Sequence, residues 1–182
     1  MSKLGYLRQA YSADRVTDTQ FCGEYCTHYL VHKGDETGNW GSTPDKPKLR
    51  TQDSSKFLFK KGKAHVIEFS LCFPSIQPQA TYMDLHSQDG SPSPFYIVGN
   101  EEDLIFRFNG HGKNKQVLIP RHWYHFTIET NLHNYFRLHN QDGLLFEDTP
   151  IYTPPTVNFK IGPYEYANNW VGNPTREVYA IS

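Results

Sequence analysis

The stretch Asn158-Phe159-Lys160-Ile161-Gly162-Pro163-Tyr164-Glu165-Tyr166 has the residue types and spacing best suited to chemistry. In an extended strand, side chains alternate between faces, so Phe159 and Ile161 point one way while Lys160, Gly162 and Tyr164 share the other. An ammonium close to a phenol favours the phenolate and suits a proton-transfer role. The same residues also describe an exposed lysine beside a half-packed tyrosine, and spacing alone does not choose between the two. A second stretch, Thr81-Tyr82-Met83-Asp84-Leu85-His86-Ser87, follows the same logic. Met83 and Leu85 are expected in the core, and Tyr82, Asp84 and His86 on the opposite face. There His86 suits general acid/base work or hydrogen bonding to a sugar or carboxylate, or else it is a solvated ring oriented by Asp84. In Lys46-Pro47-Lys48-Leu49-Arg50, three cations share a face while Leu49 turns inward. That is the pattern of a carboxylate clamp or of a solvated sheet edge.

All three stretches read as strands, and so does most of the chain. Ile67, Phe69, Leu71 and Phe73 alternate with Glu68 and Ser70, and Leu104, Phe106 and Phe108 repeat the period. Tyr124, Phe126 and Ile128, then Phe136 and Leu138, continue it. Turn residues fall between these runs at Asp89-Gly90, Asn109-Gly110, Ile119-Pro120 and Asp142-Gly143. Gly and Pro interrupt nearly every window before a 3.6-residue period can accumulate, so no helix is expected. Many short strands with one apolar face each must cover one another. The expectation is an all-β fold, a two-sheet antiparallel β-sandwich of the jelly-roll type, with Ile67, Phe69, Leu71, Phe106, Phe126, Ile128, Phe159 and Ile161 buried between the sheets. At 182 residues without a linker-like segment, one domain spanning 1–182 is expected. The loop from Gly34 to Lys48, with Trp40 between two glycines, is long enough to carry function.

Charge is nearly balanced, with 18 Lys and Arg against 19 Asp and Glu, which excludes nucleic-acid binding by bulk electrostatics. No apolar run approaches the ~18 residues of a membrane span. The N-terminal residues lack the basic-then-apolar pattern of an export signal, so synthesis in the cytoplasm is expected. Cys22, Cys26 and Cys72 are an odd set, read as reduced, buried thiols. Cys22 and Cys26, with His28 and His32, lie along one strand face without the knuckle spacing of structural zinc, so no metal is expected.

Taken in order, the three stretches resemble the jelly-roll polysaccharide lyases, the alginate, glucuronan and heparin lyase group with a concanavalin A-like fold. That group carries an early Arg-containing strand, a mid-chain Gln-x-His strand and a late Lys-x-Gly-x-Tyr strand. They correspond here to Lys46–Arg50, Asp84-Leu85-His86 and Lys160-x-Gly162-x-Tyr164. The resemblance implies Tyr164 and His86 for proton transfer in β-elimination, and Arg50 and Lys160 for holding a sugar carboxylate. No metal or organic cofactor is required by that scheme. Tyr82, Tyr166 and Trp40 would stack on sugar rings. Asp84 stands where the group has a neutral Gln beside the substrate carboxylate, and Lys48 where it has an acidic residue.

The expectation is therefore a carbohydrate-recognising domain that engages an anionic polysaccharide or cell-surface glycan, with β-elimination weakened or lost. Two alternatives stand beside it: an active polysaccharide lyase, and a non-catalytic structural protein of a virion surface or tail that meets other virion proteins and host glycans.

Overall fold

The computed structural model describes residues 6–10, 12–35, 48–150, 154–166 and 175–182. Its strands, in chain order, are β1 (Tyr6–Gln9), β2 (Val16–Phe21), β3 (Glu24–His32), β4 (Lys48–Arg50), β5 (Gln52–Ser55), β6 (Phe59–Lys60), β7 (His65–Cys72) and β8 (Gln77–Ser87). They continue as β9 (Phe95–Glu101), β10 (Asp103–Phe108), β11 (His111–Val117), β12 (Trp123–Thr130), β13 (Phe136–Asn140), β14 (Gly143–Asp148), β15 (Thr156–Tyr166) and β16 (Thr175–Ile181). Among the described residues the only helical element is a 3-10 turn, Ala13–Arg15.

Two antiparallel sheets result. One runs β1-β5-β15-β8-β9-β10-β11, with β4 and β6 also paired to β15; the other runs β14-β13-β12-β7-β16-β3-β2. Strands that neighbour in space, such as β15 and β8, are far apart in sequence, as a jelly roll requires. All eight residues expected between the sheets are buried. Phe69 is the hub, with ring centroids 5.3 Å from Phe126 on its own sheet and 5.4 Å from Phe159 on the other. Burial of each such ring contributes roughly 1.5–3 kcal/mol, so the aromatic seam is a main source of cohesion.

The turns follow their chemistry. Asn109 and Gly110 both have positive φ, +50° and +80°, which closes the β10–β11 hairpin with the twist its strands need. Cys22 and Gly23 do the same between β2 and β3, with φ of +46° and +88°. This corrects one expectation. Cys22 does not lie on the strand face with Cys26; it occupies the tip of a two-residue hairpin and is exposed, while Cys26 and Cys72 are buried thiols. Burial pushes the Cys72 thiol up to about 12, which disfavours the thiolate, the reactive form.

Candidate functional site

The site is built on the outer face of the first sheet, where the consecutive strands β8 and β9 lie beside β15, which is distant from them in sequence. Lys160 on β15 pairs with Asp84 on β8, and Asp84 pairs with Tyr96 on β9, so all three project from the same face. Further along β15, Tyr164 pairs with Thr81 on one side and with Arg50 of β4 on the other. These side chains, with Gln52, His86, Ser91 and Ser93, line a groove of about 410 Å³.

Between Lys160 and Tyr164 the strand is irregular at Gly162. The ladder between β15 and β8 shifts register between Ile161 and Tyr164, so the strand bulges there. Gly162 takes the strain with φ +115°, and a Cβ at this position would stand 2.2 Å from the Thr51 carbonyl oxygen and 3.1 Å from the Gln52 Cα. The bulge is fastened from the β4–β5 side. Gln52 Nε2 donates to the Gly162 carbonyl at 3.1 Å, and the Thr51 amide donates to the Pro163 carbonyl at 3.0 Å. Tyr164 then lies under Arg50, whose guanidinium carbon is 5.0 Å from the ring centroid, a cation–π contact.

The charged members are drawn deep into the sheet face: Lys160 is 5 % exposed, Arg50 6 % and Asp84 8 %. His86 is more open, with 42 % of its side chain exposed. Its Nδ1 lies 3.2 Å from Asp84 Oδ2. A carboxylate can only accept, so Nδ1 carries the hydrogen and a neutral ring keeps Nε2 as an acceptor. That is the tautomer a general base needs. The other Asp84 oxygen, Oδ1, is buried and has no hydrogen-bond partner.

Not every candidate joins the groove. Tyr82 is fully buried in the core, its ring 4.9 Å from Phe73 in an edge-to-face contact, and it cannot stack on a sugar. The cause is a second bulge. Thr81 pairs with Val98 and Met83 with Ile97, so Tyr82 is the extra residue, and strict alternation fails at that point. Tyr82 and Met83 therefore both enter the core and Thr81 takes the groove position. The Tyr82 ring fills the space above Gly99, where a Cβ would come within 2.7 Å of it. Tyr166 ends β15, but its side chain, like those of Lys48, Trp40 and Lys46, lies outside the described residues.

Gln52, Tyr96, Ser91 and Ser93 line the groove without having been singled out in the sequence. Tyr96 had a readable signal, since it sits between the core residues Phe95 and Ile97. Ser91 belongs to the Asp89-Gly90 turn, where its amide donates to Asp89 Oδ1 at 3.0 Å. Nothing local marks Gln52, which reaches the groove because β5 pairs with β15.

No family model and no curated protein matches the chain. Solved structures do. An endo-β-1,4-glucuronan lyase from the fungus Trichoderma reesei aligns with 99 % of this chain and 89 % of its own at 12 % identity, with a TM-score of 0.63. An alginate lyase from Zobellia galactanivorans covers 99 % and 83 % at 15 % identity and a TM-score of 0.60. The catalytic domain of a β-glucanase from Podospora anserina covers 98 % and 84 % at 12 % identity and a TM-score of 0.68. At these identities the likeness is one of fold, and the fold is the concanavalin A-like jelly roll of the polysaccharide lyases.

Proposed function

We propose that the groove binds an anionic polysaccharide and that its β-elimination activity is weak or lost. The observation that carries this reading is the meeting of Arg50, Lys160, His86 and Tyr164 around one groove in a lyase-like fold. Elimination at a uronate needs its carboxylate neutralised, the C5 proton removed and the leaving oxygen protonated. Arg50 and Lys160 supply the first, and His86 and Tyr164 the proton transfers. Tyr166 and Trp40 belong to the same proposal as ring-stacking residues.

Asp84 works against it. Lying between Lys160 and His86, its carboxylate offsets part of the positive field that a uronate would meet. Two carboxylates about 4 Å apart repel by roughly 4 kcal/mol at an effective dielectric near 20, enough to weaken uronate capture a thousand-fold. Where elimination is lost altogether, the same groove serves as a glycan-binding surface, the role of a virion surface or tail protein meeting a host cell. Absorbance of the unsaturated product on alginate, glucuronan and heparin tests the reading. The expected outcome is slow or no turnover by the unmodified chain, faster turnover by Asp84→Gln, and loss of any residual activity in Tyr164→Phe. Rapid turnover by the unmodified chain refutes the loss of activity.

A further inference from the structure

The face that carries the groove continues past the residues named so far. Tyr96 of β9, which lines the groove, pairs with Asp84 on one side and with Arg107 of β10 on the other. Phe106 and Phe108 fill the core, so Arg107 projects from the same outer face as Tyr96. It completes a row across four strands, Lys160–Asp84–Tyr96–Arg107. Three strand spacings of ~4.8 Å set Lys160 and Arg107 about 14 Å apart at the backbone. The groove itself extends to Gly110, in the turn that follows β10. Opposite Arg107 on β11 stands Gly112, where a Cβ would meet nothing nearer than Ile105 Cγ2 at 3.9 Å, so the flank of the arginine on that side carries no side chain.

Arg107 is also uncommitted. Arg15 and Arg137 are held by carboxylates, Arg50 and Arg121 lie over aromatic rings, and Arg176 donates to a carbonyl. Among the described residues no acceptor and no ring holds the half-buried Arg107, and its Nε has no partner. The nearest acid on its own strand and face, Asp103, is engaged by Lys115 at 2.8 Å. A cation partly withdrawn from water and left unpaired is costly, and a bound anion offsets that cost.

We propose that Arg107 is a second anion-binding residue of the groove, taking the carboxylate of a sugar unit further along the polymer whose first carboxylate meets Arg50 and Lys160. This rests on the reading of the groove as a site for anionic polysaccharide and deepens it. The ligand is an acidic oligomer laid across β15, β8, β9 and β10, because a single uronate unit cannot span the two cationic ends. The terminal amines of a guanidinium match both oxygens of a carboxylate, a charge-assisted and bidentate fit. Asp84 does not prevent this. It lies two strand spacings from Arg107, about 10 Å at the backbone and beyond the ~8 Å screening length at physiological salt, so a carboxylate held at Arg107 feels little of its repulsion.

Calorimetric titration with a dimer and a hexamer of β-1,4-linked glucuronic acid tests this, in the unmodified chain and in Asp84→Gln, where capture of the first carboxylate is strengthened. In both, the hexamer should bind tighter than the dimer. Adding Arg107→Met, which keeps the aliphatic length, should weaken the hexamer about ten-fold and leave the dimer unchanged. The salt dependence of hexamer binding should become shallower in the same variant, as loss of an ionic contact requires. Its melting temperature by circular dichroism should be unchanged or raised, since no protein partner is lost. An unchanged hexamer affinity in Arg107→Met, or equal losses for dimer and hexamer, overturns the assignment of Arg107 while leaving the groove as a site for anionic polysaccharide. Failure of both the unmodified chain and Asp84→Gln to bind either oligomer overturns both readings.

Discussion

Gly162 shows how much of the site one residue holds. Its φ of +115° is open to glycine and strained for any L side chain, and the nearest backbone oxygen is 2.2 Å from where a Cβ would stand. The two costs add, since an alanine would need both an unfavourable dihedral and a displacement of the β4–β5 connection at Thr51. Gly162→Ala should therefore lose about 3 kcal/mol or more of stability in urea unfolding. Because Thr51 and Gln52 are bonded to Pro163 and Gly162, the displacement also moves Arg50 away from Tyr164. Oligosaccharide binding should fall in the fraction that still folds. A variant of unchanged stability would show that the bulge relaxes without strain.

At the scale of elements, β8 and β15 decide what the sequence can and cannot reveal. The period-two pattern located both strands and correctly sent Phe159, Ile161, Met83 and Leu85 inward and Asp84, His86, Lys160 and Tyr164 outward. Alternation is a local property, and a strand half-buried on one face writes it into the sequence directly. A bulge is different. The extra residue at Tyr82 exists because β8 must match β9, twelve or more residues further on, and no neighbour of Tyr82 in sequence records that mismatch. The hairpin tip at Cys22 was legible in principle, since a residue followed by glycine suits two positive φ values, yet the period-two run of Cys and His residues masked it. Tyr82 now carries an opposite expectation from that of a sugar-stacking residue. Tyr82→Ala should cost about 3–5 kcal/mol in chemical denaturation, as emptying a core aromatic site does, with the oligosaccharide Kd of the folded protein unchanged. A lost affinity without lost stability would return Tyr82 to the groove.

The whole molecule depends on how the two sheets are held at the end where the groove opens. Arg176 of β16 is fully buried, and its Nε donates to the Gln79 carbonyl of β8 on the opposite sheet at 3.3 Å. Burial holds the Arg176 guanidinium below its ordinary pKa, while attraction from Tyr82 and Glu165 acts the other way. Glu165 is itself buried, directly after Tyr164 on β15, and its attraction for the guanidinium acts between the groove strand and the second sheet. Replacing Arg176 with methionine keeps much of the volume and removes the charge that compensates Glu165. Removing one of two buried opposite charges leaves the other uncompensated and is destabilising, whereas replacing both with neutral groups is often close to neutral. The two cases separate by pH. A buried glutamate without its cation has a folded pKa raised above its unfolded value near 4.3. The unfolded chain then ionises first as pH rises, so stability in Arg176→Met is greatest below pH ~4 and falls as pH climbs through the raised folded value. Urea unfolding of Arg176→Met from pH 4 to 8 should show that decline, steeper than in the unmodified chain. Arg176→Met combined with Glu165→Gln should remove it and recover most of the lost stability. A flat profile in the single variant would mean that Glu165 draws its compensation from elsewhere and that Arg176 joins the sheets through the Gln79 carbonyl alone.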